Sequence, residues 1–295
     1  MIRPAPAVLA ALLILAGGSA PVWAAQKPAP GAPAPQAITA PTAADWRTPD
    51  PQDILVIDTN KGRILVELAP LAAPNHVARL RELTRKGLYD GRSFFRVIDA
   101  FMAQTGDPED RGTGGSDLPD LAAEFTFRRG AETPFVRVAD QTVAEIGFIG
   151  SLPVMTQSSQ LMPMTADGRV SGWALFCPGV AGMARGGALD SANSQFFLMT
   201  AANPGLDGDY TALGRVVQGL EVVNALKPGD PAEDGAVTAD PDRIVRARMA
   251  SDLPAVERPI LRIAAPGTPA LVAAVAATRD VCSVIVPVEI SGGPQ

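Results

Sequence analysis

The sequence predicts a mainly β fold, an antiparallel barrel or sandwich, on three observations. Short runs rich in β-branched and aromatic residues recur along the chain, turn residues punctuate them, and amphipathic helical spacing is confined to two places. A parallel α/β architecture needs helices between most strands, and they are absent. Gly and Pro number 28 each, which suits a turn-rich chain, and 47% apolar against 19% charged residues excludes a wholly disordered one.

The elements follow in order. Residues 1–24 carry one early cation, Arg3, an apolar run at 8–16 and small residues up to Ala24, the pattern of a cleaved export signal. The run falls short of the ~20 apolar residues that span a bilayer, so stable membrane insertion is not expected. The mature protein is expected to be periplasmic or secreted. Residues 25–45 are dominated by Pro and Ala and read as an extended linker. Order is expected from Trp46. The runs at 54–57 and 64–66 flank the turn Thr59-Asn60-Lys61-Gly62 and predict a β-hairpin. Pro74 and Asn75 start a helix in which Val77, Leu80, Leu83 and Thr84 share a face, and Gly87 stops it. His76 falls in its first turn and reads as a half-exposed residue.

Strands are expected at 94–98, 101–104, 196–199, 213–217 and 244–249, with a short helix at 220–226. Residues 126–180 read as a long irregular insertion, in which Met155, Met162 and Met164 lie beside Ser158-Ser159. This insertion is expected to border the site and to narrow or extend the accepted substrates. The domain therefore covers 46–250, and residues 251–295 form an extension whose apolar runs at 260–264 and 281–288 predict appended strands.

The chain excludes several functions. A net charge of −6 has the wrong sign for nucleic acid. One histidine and two cysteines cannot build a His/Cys metal cluster, and any histidine-dependent triad rests on His76 alone. No cofactor is expected. Cys177 and Cys282 either pair, as an oxidising compartment permits, or lie apart as buried thiols.

The stretch Phe94-Phe95-Arg96-Val97-Ile98-Asp99-Ala100-Phe101-Met102-Ala103-Gln104-Thr105-Gly106-Asp107 resembles the central motif of the cyclophilin prolyl isomerases. Three further blocks agree in order: Gly112-Thr113-Gly114-Gly115; Gly182-Met183-Ala184-Arg185 with Asn193-Ser194-Gln195-Phe196-Phe197; and Leu206-Asp207-Gly208 leading to Gly214-Arg215-Val216-Val217. The resemblance implies a closed eight-stranded antiparallel barrel capped by two helices. It also implies peptidyl-prolyl cis-trans isomerase activity on proline-containing polypeptides, here unfolded exported proteins.

Such a reaction makes and breaks no covalent bond, so it needs no nucleophile or metal. It needs a donor to the prolyl nitrogen, a dry pocket and contacts to the flanking peptide. Arg96 is the expected donor, its planar charged fork being suited to that nitrogen or a nearby carbonyl. Gln104 is expected to hold a substrate carbonyl or fix the Arg96 fork. The resemblance gives the proline pocket to Phe101, Met102, Phe197 and Leu206, lets Ala184 and the Arg185 main chain flank the peptide, and adds Phe95, Gln195 and Tyr210 to the groove. Phe196 is expected in the core. Phe95 stands where the family usually has histidine, and Arg185 where it usually has asparagine. Gly205 and Tyr210 replace a tryptophan and a histidine of some members, which implies weak cyclosporin binding.

Overall fold

The chain between residues 54 and 105 alternates apolar side chains to both sides of its strands, and that pattern sets the core. In the ILVI run of residues 54–57, Leu55 and Ile57 enter the central core beneath the first helix, whereas Ile54 and Val56 pack with Leu253 and Leu261 of the C-terminal extension. Both faces are covered, which is why the run is continuously apolar. The computed structural model describes residues 42–292 except residue 142. The expected signal (1–24) and most of the expected linker lie outside the described residues.

The described chain opens with β1 (Trp46–Arg47), the hairpin of β2 (Ile54–Thr59) and β3 (Gly62–Leu68), helix α1 (Pro74–Arg85), and the hairpin of β4 (Arg96–Ile98) and β5 (Met102–Thr105). Five strands follow: β6 (Phe127–Arg129), β7 (Phe135–Gln141), β8 (Ala144–Ile149), β9 (Leu152–Gln157) and β10 (Val170–Ala174). The chain returns through β11 (Val180–Met183), β12 (Phe196–Met199), β13 (Ala212–Gln218), α2 (Leu220–Asn224) and β14 (Ile244–Met249). It ends with β15 (Ile260–Ala264), α3 (Pro269–Thr278) and β16 (Val288–Ser291).

The main sheet has eight strands in the order β14-β2-β3-β13-β11-β12-β5-β4. It is a curled half-barrel, which corrects the expected closed barrel. Its edge strands β4 and β14 form no ladder: the chain just before each is joined by the isolated bridge Ser93–Arg243 and a bond from Phe94 N–H to the Asp242 carbonyl at 2.9 Å. The β2–β3 turn is fixed by Thr59, whose Oγ1 accepts from the N–H groups of Lys61 and Gly62 at 3.0 and 3.1 Å. Pro74 occupies the first helical position of α1, where its missing N–H costs no bond.

Four further expectations need correction. Residues 126–180 are not an irregular loop: they contain a five-stranded antiparallel sheet in the order β6-β10-β9-β8-β7. The extension, expected to add strands only, also holds a helix, because the Ala-rich segment after β15 forms α3 behind the N-cap Thr268. The apolar run at 281–288 does not form a strand along its length; a 3-10 turn occupies Val281–Ser283 and the strand starts only at Val288. His76 is fully buried rather than half exposed, because Glu124 comes over the start of α1, accepts from the His76 and Asn75 N–H groups and meets His76 Nδ1 at 2.7 Å.

A second core joins residues of the inserted sheet (Phe148, Leu152, Val154) to Leu271 and Val275 of α3 and to Met102, Phe176 and Phe197 of the main body. Cys177 and Cys282 are joined in a disulfide that ties the extension to this core, settling the alternative left open by the sequence.

Candidate active site

Strand alternation builds the site. In β5, Ala103 points into the central core while Met102 and Gln104 face the other way; in β12, Phe196 goes to the core and Phe197 does not. Phe196 is 1% exposed and meets Tyr89 edge to face at 5.3 Å, as expected of a core residue. The β4–β5 hairpin pairs Arg96 directly with Gln104, and β12 pairs Phe197 with Gln104, so the three side chains gather although Phe197 comes from far along the chain.

They converge on a cavity of about 220 Å³ lined by Arg96, Phe101, Met102, Gln104, Ala184, Arg185, Phe197, Leu206 and Tyr210. Every one of these was singled out from the sequence. Phe95 and Gln195 lie elsewhere: Phe95 lines an adjoining cavity of about 720 Å³ with its ring edge against Gly112, and Gln195 lines another of about 590 Å³. The described residues of the inserted sheet line none of these three cavities. Met155 packs instead into the second core, and Met164 is 82% exposed.

A relay orients the guanidinium. Arg96 Nη1 donates to Gln104 Oε1 at 3.0 Å, Gln104 Nε2 donates to Gln195 Oε1 at 2.9 Å, and Gln195 Nε2 donates to the Gly114 carbonyl at 2.7 Å. Gln104 therefore fixes the fork of Arg96, one of its two expected roles. On the opposite edge Arg96 Nε donates to the Asp234 carbonyl at 2.9 Å, and Nη2 to Asp234 Oδ1 at 3.0 Å. Asp234 was not found from the sequence. It lies 138 residues away, and its only local signal is the Glu-Asp-Gly turn in which it adopts φ 51°, a conformation Asp tolerates.

The groove loop after β5 is organised by Asp107, a fully buried carboxylate that accepts from the N–H groups of Glu109, Arg111 and Gly114 at 2.8, 3.0 and 3.1 Å. Burial works to raise its pKa, but these bonds outweigh it and hold the carboxyl below its usual range. A side chain at Gly114 would strike that carboxylate, and one at Gly182 would strike the rings of Phe197 and Phe176, so both motif glycines are steric requirements. On the far wall, Asp207 accepts from the Phe176 N–H at 2.7 Å, and Phe176 stacks on Phe197 with ring centres 6.0 Å apart. Burial pushes the Asp207 carboxyl up.

The result is a recess of about 220 Å³ whose wall combines the apolar side chains of Phe101, Met102, Phe197 and Leu206 with Arg96 and Arg185. The sequence model of the cyclophilin type peptidyl-prolyl cis-trans isomerase/CLD family matches residues 54–249. The chain belongs to the cyclophilin-type isomerases. It is 36% identical over 214 residues to a probable peptidyl-prolyl cis-trans isomerase of Brucella suis, covering 69% of this chain and 85% of that one. It is 29% identical over 181 residues to human peptidyl-prolyl cis-trans isomerase-like 1, covering 61% and 81%. The crystal structure of cyclophilin AquaCyp293 from Hirschia baltica superimposes with a TM-score of 0.77 at 35% identity, covering 85% of this chain and 95% of that one. The share of this chain covered by that likeness is larger than the part matched by the family model.

Proposed function

We propose that this cyclophilin-type isomerase turns X–Pro bonds in exported polypeptides by donation from Arg96. Amide resonance sets a barrier of ~18–20 kcal/mol to that rotation. As the bond twists, the prolyl nitrogen becomes pyramidal and its lone pair, released from conjugation, localises on it, so a donor aimed at it lowers the barrier. The observation that carries the reading is the Arg96 fork, tied on one edge to Gln104 and on the other to Asp234, beside the recess of Phe101, Met102, Phe197 and Leu206. The recess seats the proline ring out of water, where a charged donor acts more strongly.

Polypeptides in an oxidising compartment are the proposed clients. The Cys177–Cys282 bond supports this, since such bonds persist where proteins are exported. Proline-limited refolding of a client, followed with wild type and with Arg96→Ala, tests the function. The substitution is expected to cut the acceleration roughly a hundredfold, an electrostatic loss of about 3 kcal/mol. Equal rates would favour a non-catalytic peptide binder or holdase.

A further inference from the structure

Four arginines line the groove and its two adjoining cavities, and three of them have carboxylate partners. Arg96 meets Asp234 at 3.0 Å, Arg243 meets Asp110 at 3.1 Å and Arg111 meets Glu109 at 3.1 Å. Arg185 has no carboxylate within ion-pair distance among the described residues, although it lines all three cavities. Its Nη1 donates to the Gly186 carbonyl at 3.1 Å and its Nη2 to the Asp209 carbonyl at 3.4 Å, while Nε is buried without an acceptor. The guanidinium lies 4.5 Å from the Tyr210 ring centre and 5.5 Å from that of Phe125. Carbonyls and ring faces orient a cation but leave its full charge uncompensated.

The acidic groups nearby make no ion pair with Arg185 among the described residues. Asp234 is engaged by Arg96, and Asp120, which shares the cavity of about 590 Å³, accepts from Asn193 Nδ2 at 2.9 Å. Glu233 lines only the cavity of about 720 Å³ on the Arg96 side.

We propose that Arg185 is a specificity determinant that favours proline peptides bearing a carboxylate side chain on the residue next to the proline. Arg185 lines both the recess and the cavities beside it, so a chain seated with its proline in the recess passes this cation at the adjacent residue. The inference rests on the isomerase reading above and names a substrate class for it.

The test uses N-acetylated, C-amidated peptides with Glu, Gln or Lys on either side of one proline, their cis/trans exchange measured by NMR with the full-length mature chain. At about 20 mM salt the kcat/KM for Glu at the sensitive position is expected to exceed that for Lys by about threefold to fivefold, the scale of a solvent-facing ion pair. The ratio is expected to approach one at about 0.5 M salt, where screening is strong. It is expected to approach one in Arg185→Gln and to invert in Arg185→Glu; being taken within each enzyme, it is independent of any general loss of turnover. Equal turnover of Glu and Lys peptides by wild type at low salt overturns the inference and leaves the isomerase reading standing. So does a ratio that survives in Arg185→Gln or at high salt. If Arg185→Gln does not fold, the wild-type salt series decides. Failure of wild type to accelerate any peptide overturns the isomerase reading, and this inference with it.

Discussion

Asp234 holds two of the three donor-bearing nitrogens of Arg96 and leaves Nη1 to Gln104, so the fork is clamped from both edges. The carboxylate is 79% exposed, which limits the pair to about 1 kcal/mol of orientation. Asp234→Ala is therefore expected to lower kcat about fivefold in a proline-peptide assay while KM changes little, with Asp234→Glu recovering part of the loss. An unchanged kcat would make the pair a surface contact without a positioning role. At this scale the motif residues were legible through their resemblance to the cyclophilin pattern, and period-two alternation in β5 and β12 accounts for the side on which they lie. Asp234 was not, since its place depends on a turn that returns from far along the chain to bond β4, with Val97 N–H donating to the Gly235 carbonyl at 2.8 Å. His76 was misjudged for a related reason: its burial comes from Glu124, a partner 48 residues away.

The inserted strands act from behind the groove. Phe148 and Val154 are fully buried in the core that also holds Met102 and Phe197, so the inserted sheet packs behind residues that line the groove. Phe148→Ala is expected to cost about 3–5 kcal/mol and lower the melting temperature by about 10 °C in calorimetry. A melting point unmoved by more than about 2 °C would detach the sheet from the core. The β8–β9 hairpin was open to a sequence reading, as Gly150 and Ser151 form a tight turn between two apolar runs and Gly150 takes φ 60°. Pro153 inside the second run obscured it, because proline argues against a central strand. The closing pairing of β10 with β6 joins residues some 40 apart and leaves no local mark.

For the whole molecule, the half-barrel, the inserted sheet and the small sheet of β1, β15 and β16 share cores, and the disulfide fastens the last of these segments. It closes a loop of 105 residues, which in the chain-entropy model stabilises the fold by about 4–5 kcal/mol. Cys282→Ser is expected to lower the midpoint of denaturant unfolding by a corresponding amount, as is reduction of the wild type. Identical midpoints with and without reductant would contradict this. The mainly β class was legible because the helical spacings were so few. The open edge between β4 and β14 was not, since three-residue β4 is too short to reveal from sequence whether it meets a neighbour along its length.

The Arg96 guanidinium is proposed to accelerate rotation about the imide bond itself. The most direct measurement of that acceleration is the cis/trans exchange rate of a short proline peptide by NMR, at saturating peptide, with wild type and Arg96→Ala of equal melting temperature. A peptide too short to fold or aggregate removes any contribution from holding unfolded chains. Saturable catalysis by wild type and a drop in kcat of roughly a hundredfold in the variant are expected. Exchange equally fast with both proteins would contradict the proposal.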